Sequence, residues 1–276
     1  MFMKNFNQNC NDKKLENKKK RLRGAIVLFA LLPIIICTVL ASGFSSAFAA
    51  SGDVSWGVVP NKEQRVPEAP KGGAEMLSEH GGFYIMPSCA SGQKKVYFTF
   101  DLGYEAGYTA EVLDILRDNN IKGVFFLCGN YLQETQLINR MIAEGHEIGN
   151  HTDRHKDLPK CSTENIVKDI ADFDILYKEK FVGNPNLRFF RPPKGNLCRR
   201  TLQAAKEQNL KTMMWSIAIV DWGKEEIDAT KSANKIADRA HDGAIILLHI
   251  TNAGTPKMLR QLLPLLQEKG YGVGGF

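Results

Sequence analysis

Past its first fifty residues this chain has no excess of charge of either sign. Residues 1–49 hold eight Lys/Arg against two acids, so of the 36 basic and 30 acidic residues in the 276-residue chain, 28 of each remain beyond them. A body so balanced offers no basic face to a phosphate backbone, and the formal net charge of +6 is no argument for a nucleic-acid partner. Paired-cysteine motifs are missing as well. Cys89, Cys128, Cys161 and Cys198 are spaced by 39, 33 and 37 residues, which matches no zinc ribbon and no Cys-x-x-Cys. One or two disulfides in any of three full pairings fit these four, and so do buried, unpaired thiols. A glycine-rich phosphate loop is absent too. TFDLGYE, not GxGxxG, follows the first strand at residues 99–105, which argues against a dinucleotide fold.

What remains is ordinary globular composition, 43% apolar and 24% charged, in a length that suits one domain of roughly 200 residues plus appendages. The appendage comes first. KKKRLR at 18–23 precedes the apolar run GAIVLFALLPIIICTVLA and then SGFSSAFAA. A basic flank, an apolar stretch and the small residues of Ala47-Phe48-Ala49 make residues 1–49 a secretory signal, cut near Ala49 or Ala50. The competing reading is an uncleaved anchor, because the run approaches the ~18–20 residues that span a bilayer. Cys37 lacks the small-residue context of a lipoprotein site. Either way the later residues are expected outside the cytoplasm, with membrane contact only through this segment. Residues 50–93, with Pro60, Pro67, Pro70 and Pro87, form a linker or N-terminal wrap. The catalytic domain is expected over 94–276.

From Lys94 onward strand and helix signals alternate. Strands are expected at Val96–Asp101, at IKGVFFLCG from Ile121, at EIGNH, at LRFFRPPKG up to Pro192, at KTMMWSI, at GAIILLHI and at the start of YGVGGF. Helices are expected at Thr109–Arg117, LINRMIAEG, IVKDIADFDILYKEKF, TLQAAKEQ, SANKIADRA and MLRQLLPLLQEKG, the last interrupted by Pro264. Continuous apolar strands alternating with helices mean a parallel sheet covered by helices. About seven such units predict an α/β fold, a deformed and incomplete (β/α) barrel with outer helices; an open doubly wound sheet is the alternative.

Five of the strands deliver a polar residue at or just beyond the C-terminal end: Asp101, His151 with His155, Arg191, Asp221 with Trp222, and His249. That edge is where parallel sheets and barrels build active sites. A lone Asp there is more often a turn former, but five strands agreeing make an enzyme-like constellation. HTDRH at 151–155 places two histidines four apart, able to aim two imidazoles at one metal ion. Metal-assisted hydrolysis also needs a base for water and an acid for the leaving group, for which Asp101 and His249 are the candidates.

TFDLGYE, HTDRH, RPPKG, DW and LLH in this order and spacing resemble the polysaccharide deacetylase family over residues 94–276. The GYE extension and the form RPPKG are most similar to its δ-lactam-biosynthetic de-N-acetylase subgroup, which acts on N-acetylmuramic acid in the peptidoglycan of spore-forming bacteria. The resemblance implies hydrolysis of an N-acetyl group from a sugar in a peptidoglycan glycan strand. It assigns Asp101 as general base, His151 and His155 as ligands of a divalent metal, usually zinc, and Arg191 as the partner that orients Asp101. It makes His249 the general acid, tuned by Asp221, and Trp222 a wall of the acetyl pocket. Gly103 and Tyr104 fall on the substrate side, where a backbone N–H of the 102–104 turn would contact the oxyanion. By the same analogy the chain would act as a monomer in the forespore or cortex region.

Leu102 departs from the family. Most members carry a second, metal-binding aspartate there, although the muramic subgroup often lacks it. Substitutes on the sequence are Asp101 itself, Asp153 and Glu105. Two other readings stay open: N-acetylglucosamine deacetylation in peptidoglycan or chitin-like oligomers, and a wall-binding protein with a decayed site. Blander roles are expected for His146 (structural), His241 (helix end, favoured by the dipole), His80 (linker), and Trp215 with Met213 and Met214 (core).

Overall fold

The structure is a computed structural model that describes residues 52–60, 63–87, 92–184 and 187–276. The signal or anchor segment and Cys89 lie outside the described residues. Among the described residues no helix is long and apolar enough to cross a membrane.

Seven parallel strands form a curved sheet. They are β2 (Lys95–Leu102), β3 (Val124–Leu127), β4 (Glu147–Asn150), β5 (Phe189–Phe190), β7 (Lys211–Thr212), β8 (Ile217–Ala218) and β9 (Ala244–His249), in the order β7-β5-β4-β3-β2-β9-β8. A short β10 (Gly272–Val273) adds to the start of β2. The helices that connect and cover them are α2 (Thr109–Asp118), α3 (Thr135–Ala143), α4 (Thr163–Lys180), α5 (Arg199–Glu207), α6 (Ala229–Ala237) and α7 (Gly254–Glu268). This is the deformed (β/α) barrel the strand–helix alternation predicts.

Alternation along each strand divides the side chains between two apolar layers. Phe98, Phe100 and Leu102 of β2, Phe125 and Leu127 of β3, and Ile246 and Leu248 of β9 pack with the helices. Val124, Phe126, Phe189, Ile245 and Leu247 face the interior instead, where they meet Met213, Met214 and Trp215. The period of two therefore sends Leu102 into the helical layer, fully buried, and Asp101 toward the interior. Leu102 is packing.

The expected strand KTMMWSI is in fact two. β7 and β8 lie at opposite edges of the sheet, and residues 213–216 cross the gap between them. Its single apolar run hides a break because the crossing residues are as buried as a strand would be.

Residues 52–87 pack against this interior. β1 (Val54–Ser55) pairs with β6 (Asn196–Leu197), and α1 (Gly73–Glu79), too short to show a period in the sequence, supplies Met76 and Leu77 to the inner cluster. Phe83 bonds through its backbone to Thr212 and Met214, and the Trp56 indole donates to the Trp215 carbonyl at 2.9 Å. His80 caps α1 and contacts the Met76 carbonyl. Of the other histidines, His146 is buried and accepts from the Gly123 N–H. His241 corrects the helix-end expectation: it lies past α6, buried, with its ring bonded to the Ser216 hydroxyl.

Gly149 on β4 leaves room for the Phe126 ring, since a Cβ there would come within 2.4 Å of it. We expect Gly149→Ala to lower stability by about 1–3 kcal/mol through overpacking, read as a shifted urea midpoint with unchanged slope.

Candidate active site

The residues that end β2, β3, β4, β5 and β9 form a row because the strands are neighbours in register. Asp101 pairs with His249 across β2 and β9. Leu127 pairs with Asn150, so Cys128 and His151 follow side by side, and Asn150 with Phe190 sets His151 beside Arg191. All share the inward parity.

Arg191 is fully buried and donates from all three of its nitrogens. It gives Nη1 to Asp101 Oδ1 at 2.8 Å and to the Thr99 hydroxyl at 2.9 Å, and Nε to the Met213 carbonyl at 2.9 Å. The Phe126 ring lies 4.1 Å from the guanidinium carbon. Burial alone would raise the Asp101 carboxyl, but the charge of Arg191, aided by His151, His249 and the Arg191 hydrogen bond, holds it below the usual carboxylate range. It is ionised at neutral pH.

His151 donates from Nδ1 to the Arg191 carbonyl at 2.7 Å, and burial pushes its pKa down to about 4. Its Nε2 is then a lone pair, and it faces Asp101 Oδ2 at 3.5 Å. Two acceptors in contact call for a cation beside them, and a histidine oriented through its other nitrogen is the usual form of a metal ligand. The loop after it is tightly held. Thr152 and His155 adopt positive φ (68° and 50°), Asn150 Oδ1 accepts from Thr152 N–H, and Asp169 Oδ1 accepts from Arg154 N–H. Gly129 packs beneath, where a Cβ would sit 2.0 Å from Asp153 Oδ1. The ring centroids of His151 and His155 are 5.0 Å apart.

Across the site His249 donates Nδ1 to Asp221 Oδ1 at 2.8 Å, and its backbone N–H donates to Oδ2 at 2.7 Å. Burial would lower the imidazole, but the hydrogen bond and charge of the fully buried Asp221, with the charge of Asp101, outweigh it and raise the pKa. An acid is poised there.

Asp101, Gly103, Tyr104, His151, His155, Trp222 and His249 line one cavity of about 1010 Å³. Arg191 and Asp221 stand behind this wall. Tyr104 and Trp222 are each 60% exposed at its rim. Sequence reasoning missed Cys128, Lys194 and Thr251 in the lining, and Trp215, expected as core, both is buried and faces the cavity. Glu105 is not a ligand. It accepts from Gly107 N–H, the Thr109 hydroxyl and the Tyr131 hydroxyl, clamping the entry to α2. Asp153 turns toward Gly129 and Arg154. Cys128, Cys161 and Cys198 are free thiols.

A family model for polysaccharide deacetylases matches residues 89–213. The chain is 33% identical over 238 residues to the peptidoglycan-N-acetylmuramic acid deacetylase PdaA of Bacillus subtilis, covering 84% of this chain and 88% of that one. The chain belongs to the polysaccharide deacetylase family. The deacetylase also aligns with the solved structure of B. subtilis PdaA, a family 4 carbohydrate esterase, at a TM-score of 0.73 and 32% identity over 81% of this chain and 94% of that one. A peptidoglycan-N-acetylglucosamine deacetylase of Bacillus cereus is 34% identical over 68% of this chain and 89% of its own. The enzyme is thus a hydrolase of carbon–nitrogen bonds in N-acetylated sugars.

A raised pKa keeps His249 protonated to higher pH, so a reaction that used it as an acid would be lost as pH rises through it. Asp221→Asn removes the hydrogen bond and charge that raise His249, so the alkaline limb of kcat should move to lower pH and kcat should fall, while His249→Ala should cost roughly 10²–10⁴-fold. A pH–rate profile of each variant checks these outcomes.

Proposed function

We propose that this deacetylase removes the acetyl group from N-acetylmuramic acid residues of peptidoglycan glycan strands, outside the cytoplasm, with zinc held by His151 and His155. The observation that carries the reading is one cavity with a carboxylate held ionised on one side and, on the other, an imidazole whose pKa is raised by its carboxylate partner. Asp101 and His249 are fixed on adjacent strands, each biased toward its charged form, the one by Arg191 and the other by Asp221.

Asp101 accepts the proton of the attacking water as it adds to the amide carbonyl carbon. Arg191 keeps that carboxylate ionised and aimed. Collapse of the tetrahedral adduct needs a proton on the amide nitrogen, because an unprotonated amide anion is a very poor leaving group. The Nε2 of His249, free because Nδ1 is bonded to Asp221, delivers it. Asp221 stabilises the imidazolium meanwhile. A bound divalent metal would polarise the acetyl carbonyl and make the water more acidic. Gly103 and Tyr104, just after Asp101, line the cavity, and a backbone N–H there would suit a developing oxyanion.

Tyr104 and Trp222, exposed on the rim, suit stacking against sugar rings flanking the reactive one. The muramic substrate is supported by the GYE motif, and by a match to PdaA that extends over more of the chain than the match to the glucosamine deacetylase. A role in forming the muramic δ-lactam of spore cortex, and action as a monomer, follow from the subgroup analogy alone.

The test is mass spectrometry of glycan strands stripped of peptides and incubated with the enzyme. Muramic residues should lose acetyl groups, a chelator should stop the loss, and Asp101→Asn should slow it by about 10²–10⁴-fold. Loss from glucosamine residues alone would overturn the muramic assignment and keep the mechanism. No loss from either sugar would overturn both.

A further inference from the structure

We propose that Cys128 is the third protein ligand of the metal, so that this deacetylase carries a Cys-His-His site where Leu102 supplies no donor. The inference rests on the reading that His151 and His155 hold a metal. Among the described residues Cys128, His151 and His155 form a group whose donor atoms all lie within 4.8 Å of one another.

The backbone places the thiol there. Cys128 follows Leu127, the register partner of both Leu102 and Asn150, and its N–H donates to the Leu102 carbonyl at 3.0 Å. The same alternation that turns Leu102 into the helical layer turns Cys128 inward, next to His151, with its sulfur 3.6 Å from the His151 carbonyl oxygen. It is 2% exposed and lines the cavity. Two of the three competing carboxylates are engaged on other partners. Glu105 clamps α2, and Asp153, on the cavity wall, faces Gly129 and Arg154, while Asp101 spends Oδ1 on Arg191 and turns Oδ2 toward His151 Nε2. Tetrahedral zinc spaces a sulfur and a nitrogen ligand by about 3.5 Å. The three donors must draw in by roughly an ångström, within reach of a rotation about the Cys128 χ1 and of the exposed His155.

The chemistry of the donor set changes with this ligand. A thiolate is softer than the carboxylate it replaces, which favours zinc and cobalt over manganese and magnesium. As the sulfur–metal bond forms, the S–H bond breaks and its proton passes to solvent, so binding releases one more proton than a two-histidine site would. With Cys128 as third ligand, Asp101 is not required as a ligand and is left to act as the base.

The experiment loads the metal-free full chain with Co(II) and records its near-ultraviolet thiolate-to-cobalt charge-transfer absorption. The band should appear in the wild type and in a chain whose other five cysteines are serine, and vanish in Cys128→Ser. The multiple variant keeps the test decisive even if Cys128→Ser fails to fold. Partners of metal ligands contribute roughly 10–100-fold in affinity, and a ligand contributes at least as much. Zinc competition should therefore show Cys128→Ser binding about 100-fold more weakly, with one fewer proton released. Cobalt bound with no such band, or a band that survives in Cys128→Ser, overturns the Cys128 assignment and leaves the metal-dependent reading intact. No binding of either ion by the wild type overturns both.

Discussion

The guanidinium of Arg191 lies wholly inside the protein, and the site is arranged around satisfying it. Such a charge costs several kcal/mol to bury and is tolerable only with every donor used. Asp101, Thr99 and the carbonyls of the chain crossing from β7 to β8 take those donors, and the face of Phe126 covers the plane. Removing either Arg191 or Asp101 would strand the other, a loss on the order of 3–5 kcal/mol. The same residue's carbonyl fixes the His151 tautomer. Ionisation of Asp101, orientation of His151 and closure of the barrel gap thus share one residue.

The gap itself explains the N-terminal residues. A sheet whose edge strands do not meet leaves backbone groups and apolar side chains at its margins. Residues 213–216 cross that margin, and Phe83 and Trp56 bond to the crossing segment. Trp215 consequently serves two surfaces, with its backbone carbonyl tied to the wrap and its ring in the cavity.

Much of this was legible in the sequence, for a definite reason. Apolar strands make a polar terminus conspicuous, so Asp101, His151, Arg191 and His249 announced themselves, and the parallel barrel followed from alternation. Thr99 was silent because a threonine is at home in any strand, yet it shares the Arg191 Nη1. Glu105 looked like a spare ligand because hydrogen bonds to a following helix leave no trace in spacing. Cys128 was hidden by being counted with the other cysteines; only the pairing of β3 with β4 reveals its neighbour. Strand KTMMWSI misled because hydrophobicity reports burial and not direction.

Asp101 and His249 are partners in a backbone ladder, so their Cα atoms are held at the spacing of neighbouring strands, about 4.8 Å. Tyr104 and Trp222 sit instead on turns beyond the strands, outside that ladder. Those loop residues can change without disturbing the spacing of Asp101 and His249. In evolutionary terms, the rim of the cavity and the row at the strand ends are written in different parts of the chain and can diverge independently.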